Sequence, residues 1–268
     1  MDSLEAQSFS EVDPLVPKPS KGENEPANHV SLPTTLKRLQ FLSLISAHIL
    51  TLFALVLAGV WTFRLGGLSW EKEETKTVLN WHPLMMITAF LFMTISSLSF
   101  RHRLNRRLAK LLHVSAWTIA AICGTVGLVA VFRSHNNAKP PKANLYSLHS
   151  WIGVLICTLF FIQFVSGFIT FAISGLVPEA FKNNVLIVHK FIGPVVYIGV
   201  LVTILTGIQE KERCKYDVSS PDTMPFQNYN KIPEVCRTNH QISLLLLFAG
   251  VSTIFTLKDF RIATDKPS

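Results

Sequence analysis

Tyr146-Ser147-Leu148-His149-Ser150-Trp151-Ile152-Gly153-Val154-Leu155-Ile156-Cys157-Thr158-Leu159-Phe160-Phe161 decides the reading of the fold. A histidine stands just inside an apolar run that continues without a charged residue to about 174. A helix crosses hydrocarbon in about 20 apolar residues, so this run is long enough to span a bilayer. Outward from it, five more such runs occupy about 39–63, 82–100, 108–132, 186–208 and 239–257. They are rich in Leu, Ile, Phe, Val and Ala and lack the period-2 alternation of a membrane strand. Lipid offers backbone N–H and C=O groups no partners, which leaves closed helices as the solution for such runs. The expected fold is all-α, a polytopic membrane protein with six transmembrane helices.

With 49% apolar and 16% charged residues, the chain is not a soluble enzyme of one or two domains. The net charge of +8 invites a nucleic-acid partner, but the basic residues are scattered through short loops. The densest cluster, Arg101, Arg103, Arg106, Arg107 and Lys110, is framed by two spans. A nucleic-acid face would be longer, so no nucleic acid is expected. Residues 1–36, rich in Ser, Pro, Glu, Lys and Asn, read as a disordered tail. The membrane domain takes 37–258 and a C-terminal tail 259–268, and no cleaved signal peptide is expected. Six spans put both termini on one side. Lys and Arg divide almost evenly between the two sides, and the short 101–110 loop decides for cytosolic termini. Cys123 and Cys157 read as packing residues inside apolar helices. Cys214 and Cys236 flank the polar loop before the sixth span, and they are candidates for a disulfide if that side is oxidising.

His82, His113, His149 and His189 occur one per helix over four consecutive spans, at spacings of 31, 36 and 40 residues. Each lies at or just inside the start of its apolar run. Successive helices are antiparallel, so His82 and His149 belong to one face of the bilayer and His113 and His189 to the other. Ionisable groups at membrane depth are costly and usually functional. Packing accounts for one such histidine. Two pairs at two depths fit two stacked bis-imidazole haems, whose filled axial positions suit electron transfer. Zinc or copper would gather several ligands at one depth. With a rise of about 1.5 Å per residue, the two irons are expected on the order of 20 Å apart. Gly124, Gly127, Gly153, Gly167, Gly193 and Gly199 leave room for a flat macrocycle or for close helix packing. Phe90, Phe92, Trp117, Trp151, Phe160 and Phe161 either line porphyrin faces or fill the core.

Four elements carry a resemblance: Asn80-Trp81-His82-Pro83, Ser134-His135-Asn136, Tyr146-Ser147-Leu148-His149-Ser150-Trp151 and Gly207-Ile208-Gln209-Glu210-Lys211. Together with the histidine spacing they make residues 40–257 similar to the cytochrome b561 family. That resemblance implies a central four-helix di-haem bundle holding two haem b, one between His82 and His149 and one between His113 and His189. It implies a transmembrane ascorbate-dependent oxidoreductase, a ferric-chelate or monodehydroascorbate reductase. Cytosolic ascorbate would be the donor, and a ferric chelate or monodehydroascorbate the non-cytosolic acceptor. Arg106, Lys110 and His135 are the implied catalytic residues. Ascorbate would meet Arg101, Arg106, Lys110 and Lys182, while His135, Asn144 and Tyr146, with Arg133 nearby, would serve the acceptor. Phe100 departs from the family pattern, in which many relatives carry a tyrosine at that place. A homodimer in the plasma membrane or an endosomal, lysosomal or vesicle membrane is also implied. The rival readings are a quinol-oxidising cytochrome b and a non-redox transporter or proton relay.

Overall fold

The six apolar runs become six long helices in the computed structural model, which describes residues 33–173, 177–211 and 234–258. They are α1 (Thr34–Arg64), α2 (Thr75–Leu98), α3 (Arg106–Asn137), α4 (Leu148–Gly167), α5 (Glu179–Lys211) and α6 (Glu234–Leu257). A 3-10 turn, Ser99–Arg101, extends α2, and a π-helical turn, Phe168–Ala172, extends α4. All six are long and apolar enough to cross a membrane, and the described residues contain no strand.

Three of the histidine helices begin earlier than their apolar runs. His82 lies seven residues inside α2, His113 seven inside α3 and His189 ten inside α5. Hydropathy marks where hydrocarbon begins, whereas backbone hydrogen bonding continues outward through turns whose side chains stay wet. Only in α4 does the histidine follow the helix start directly. There Ser147 and Ser150 form a reciprocal capping box that fixes His149 one residue into the helix. At the start of α3, Asn105 Oδ1 accepts from the Leu108 N–H at 2.8 Å. At the end of α1, Gly66 and Gly67 take φ of +97° and +80°, conformations that strain a residue with a side chain.

The helices pack closely as α1 with α6 and α2, α2 with α3, and α4 with α5. In lipid this association rests on small residues and interhelical hydrogen bonds. Ala47, Ala54 and Ala58 of α1 are fully buried, and Ser43 Oγ donates to Ser252 O at 2.8 Å. A Cβ on Gly199 would stand 2.3 Å from Ile156 Cδ1, and one on Gly250 2.5 Å from Leu201 Cδ2. Gly199 therefore serves helix packing. At the centre Phe90 stacks on Tyr197, and Trp117 meets Phe160, both at 4.9 Å between ring centroids. The Tyr197 hydroxyl donates to Thr253 Oγ1 at 3.0 Å and lies 2.9 Å from Thr94 Oγ1. These rings are core, whereas Trp151 is exposed on the outside of the bundle. Cys123 and Cys157 are free, and Cys236 is buried and disulfide-bonded. Cys214, residues 1–32 and the C-terminal tail lie outside the described residues, whereas 34–36 of the expected N-terminal tail already belong to α1.

Candidate functional site

The structure brings the four histidines together in two pairs. His82 of α2 faces His149 of α4 with ring centroids 6.1 Å apart, and His113 of α3 faces His189 of α5, also at 6.1 Å. Neither pair joins helices that pack closely on each other. The tight couples are α2 with α3 and α4 with α5, so each imidazole pair bridges the seam between the two couples.

Three imidazoles are oriented by main-chain carbonyls. His82 Nδ1 is 3.0 Å from Gly127 O, His113 Nδ1 2.9 Å from Ser96 O and His149 Nδ1 2.9 Å from Thr203 O. A carbonyl can only accept, so Nδ1 carries the proton and Nε2 is left with the lone pair that could ligate a metal. The acceptors obey one spacing. Ser96 is fourteen residues after His82, Gly127 fourteen after His113 and Thr203 fourteen after His189. Fourteen residues make almost four turns, so the helix presents nearly the same face again about 21 Å further on. Each antiparallel neighbour thus steadies a histidine with one end and carries its own histidine at the other.

The pattern breaks once. The residue fourteen after His149 is Gln163, whose Nε2 donates at 2.7 Å to the main-chain oxygen of His189. The His189 Nδ1 is buried without a hydrogen-bond partner. Its ring is held by shape instead. A Cβ on Gly167 would stand 3.0 Å from His189 Cε1, and Phe171, on the π-helical turn, lies 5.7 Å from it between centroids. Such turns inside helices are frequent at functional sites.

Two imidazoles that bind one iron at about 2 Å through Nε2 have centroids on the order of 6 Å apart. Both pairs meet that spacing. Among the described residues no three metal-binding side chains cluster, which matches bis-imidazole ligation better than a zinc-type centre. The residues present therefore fit haem. Of the six glycines, Gly167 backs a ring, Gly127 supplies a carbonyl, and Gly153 and Gly193 approach Thr203 and Gln163. Gly124 meets nothing within 4 Å. Gly207 backs His149 more tightly than any of these backs a histidine, with a Cβ position 2.6 Å from Cε1.

At the His113–His189 end, Arg106 and Lys110 are exposed and share a face of α3 with His113 by the four- and three-residue steps between them. Asn105, Arg106, Arg107, Leu108 and Leu111 line an open depression of about 510 Å³, which Lys110 does not line. Basic residues here add to the positive helix N-terminus instead of offsetting it, which favours an anion. Arg101 and Lys182 are engaged elsewhere. Arg101 donates to Leu257 O at the end of α6, and Lys182 pairs with Glu179 at 2.6 Å. Phe100 lies 5.4 Å from the His113 ring between centroids. His102 sits 5.3 Å from His48, and burial, with His48 beside it, holds its imidazole below the usual histidine range.

At the other end His135 Nδ1 lies 3.1 Å from Asn144 Oδ1, and Asn144 Nδ2 donates to Asn136 Oδ1 at 2.9 Å. Asn144 and Tyr146 are exposed, and Arg133 donates to Trp70 O at 2.8 Å. Sequence reasoning passed over Asn80 and Lys211 as individuals, although both stood in the quoted motifs. Lys211 Nζ donates to Asn80 Oδ1 at 2.7 Å and so joins the ends of α2 and α5.

A helical membrane protein with two cross-seam imidazole pairs, one near each end of its inner bundle, is the class this geometry defines. Residues 81–215, about half of the chain, match the model of the eukaryotic cytochrome b561 family, and the chain belongs to that family. It is 34% identical over 170 residues to a probable ascorbate-specific transmembrane electron transporter 2 of Oryza sativa subsp. japonica, covering 62% of this chain and 70% of that one. It is 30% identical over 214 residues to the plasma membrane ascorbate-dependent reductase CYBRD1 of Rattus norvegicus, covering 78% and 71%. Over 219 residues it is 29% identical to the lysosomal membrane ascorbate-dependent ferrireductase CYB561A3 of Danio rerio, covering 79% and 85%.

Proposed function

We propose that this integral membrane oxidoreductase carries electrons from cytosolic ascorbate to a non-cytosolic ferric chelate or monodehydroascorbate. The observation that carries the reading is the pair of imidazole couples, each at 6.1 Å, one joining α2 to α4 and the other α3 to α5. Two b-type haems supply the one-electron chemistry when bound. The chain's part is to hold them. His82 and His149 ligate at one end and His113 and His189 at the other, with Gly127, Ser96 and Thr203 fixing three ring orientations through their carbonyls.

The donor end is the His113–His189 end, which the positive-inside weighting of the 101–110 loop assigns to the cytosol. Ascorbate is a monoanion, and Arg106, Arg107 and Lys110 at the α3 N-terminus attract it. Arg101 adds positive field there while anchored to Leu257 O, and Glu179 largely offsets the charge of Lys182. At the opposite end His135 and Asn144 form a hydrogen-bonded acceptor site with Tyr146 exposed beside it, and His135 offers a proton or an iron ligand. The functional unit is a homodimer in the plasma membrane or an internal membrane of the endosomal, lysosomal or vesicular kind.

The test is an absorption spectrum of the purified protein, before and after ascorbate, with haem counted per chain. Ascorbate-loaded vesicles then report reduction of external ferric citrate. Two b-type haems reduced by ascorbate, with transmembrane reduction, are expected. A folded, haem-supplied preparation without a Soret band would overturn the reading in favour of a histidine-based transporter.

A further inference from the structure

At the His82–His149 end a half-buried ammonium lacks a carboxylate partner among the described residues. Lys211 Nζ donates to Asn80 Oδ1 at 2.7 Å and lies 5.0 Å from the centroid of the Trp61 ring. Asn80 has nothing further to give, because its Nδ2 already donates to Leu65 O at 3.3 Å and Gly67 O at 2.8 Å. Trp61 is 2% exposed, and its indole N–H has no acceptor. An amide oxygen and an aromatic face make a buried cation cheaper without neutralising it. The remaining ammonium protons and the indole N–H of the ring beneath them thus have no negative group to receive them among the described residues.

The position of this cluster says what it faces. Asn80 precedes His82 by two residues, and Lys211 follows Gly207, which backs His149, by about one turn. Neither the glycine-ended α1 nor the asparagine is needed for ligation itself, yet together they hold the lysine at the same end of the bundle as this imidazole pair.

We propose that Lys211 and the Trp61 N–H form a carboxylate-binding site beside the His82–His149 pair. The carboxylate is a propionate of the haem held there or a carboxylate of an acceptor chelate reaching the same edge. The inference rests on the di-haem reading above. A cation against a haem propionate favours the more negative, reduced state and raises that haem's midpoint potential. Against a chelate it strengthens binding of the acceptor instead.

The experiment uses the full chain in lipid nanodiscs and vesicles, as wild type, Lys211→Met, Lys211→Arg and Trp61→Phe. Haem per chain, both midpoint potentials, and KM for external ferric citrate and ferricyanide are measured. If the carboxylate is a propionate, Lys211→Met lowers one midpoint and leaves the other in place. Trp61→Phe then lowers the same midpoint less, and Lys211→Arg restores it. If it belongs to the chelate, the midpoints hold while KM for ferric citrate rises several-fold and KM for ferricyanide does not. Unchanged midpoints and unchanged KM in a Lys211→Met protein with two haems overturn the inference. Should Lys211→Met fail to fold, Trp61→Phe decides, and no movement in either readout overturns it. Fewer than two haems in the wild type would sink the di-haem reading and the inference with it.

Discussion

Gly207 sets its bare α-carbon against the imidazole of His149, so that a methyl group there would stand 2.6 Å from Cε1. No helix can give way by that amount without moving the ring off its line to Thr203 O. Gly207→Ala is therefore expected to lower haem content from two per chain towards one. Gly167→Ala, whose Cβ would stand 3.0 Å from His189 Cε1, needs a smaller shift and is expected to retain more haem. Pyridine haemochrome content per purified chain checks both, and equal losses would refute the ranking.

The two pairs are expected to fail separately. Losing a partner that orients a ligand costs 10–100-fold in related metal sites, so losing a ligand itself should slow transfer by more than about 100-fold. His82→Ala should keep a haem that ascorbate reduces rapidly while abolishing reduction of an external acceptor. His113→Ala should slow ascorbate reduction itself. Stopped-flow spectra of both variants distinguish these patterns, and identical kinetics would refute the assignment of ends.

If Arg106 and Lys110 attract ascorbate as proposed, they do so as exposed charges near a helix terminus, an interaction of about 0.3–1 kcal/mol each. Arg106→Gln with Lys110→Gln should raise KM for ascorbate by roughly 3- to 30-fold, on the same scale for the pair. The maximal rate should change little, and the difference from wild type should shrink in high salt. Steady-state reduction at two ionic strengths checks this. A salt-independent defect would mean that the two residues are structural.

His102 takes up a proton less readily in the folded protein than in the unfolded chain, whose histidines titrate at about 6.5. Protonation therefore favours unfolding. Its contribution is neutral well above that value and becomes destabilising as pH falls through it. Thermal unfolding in nanodiscs should show a smaller loss of Tm between pH 7.5 and 5.5 for His102→Gln than for wild type. Equal losses would exonerate His102.

Six spans and their antiparallel order were legible because hydrocarbon thickness writes itself directly into run length. The pairing of His82 with His149 and of His113 with His189 followed from that order. What orients the rings did not, since the acceptors on Ser96, Gly127 and Thr203 are main-chain carbonyls, which every residue type carries. The fourteen-residue offset was present in the sequence, but only the known partners give it meaning. Arg101 and Lys182 show the opposite failing. Their charge and position pointed to an anion; only a tertiary contact reveals that Leu257 O engages Arg101, whereas the Glu179–Lys182 pair is a local three-residue step that the sequence already offered.

The unmatched Nδ1 of His189 has a consequence for a molecule carrying a single electron. A bundle whose two halves were true copies would give that electron the same energy at either end, and half-reduced protein would be an even mixture of two forms. Here one imidazole pair leans on two carbonyls and the other on one. The ends are unequal in kind, and the traffic between them starts from a molecule with a built-in sense of direction.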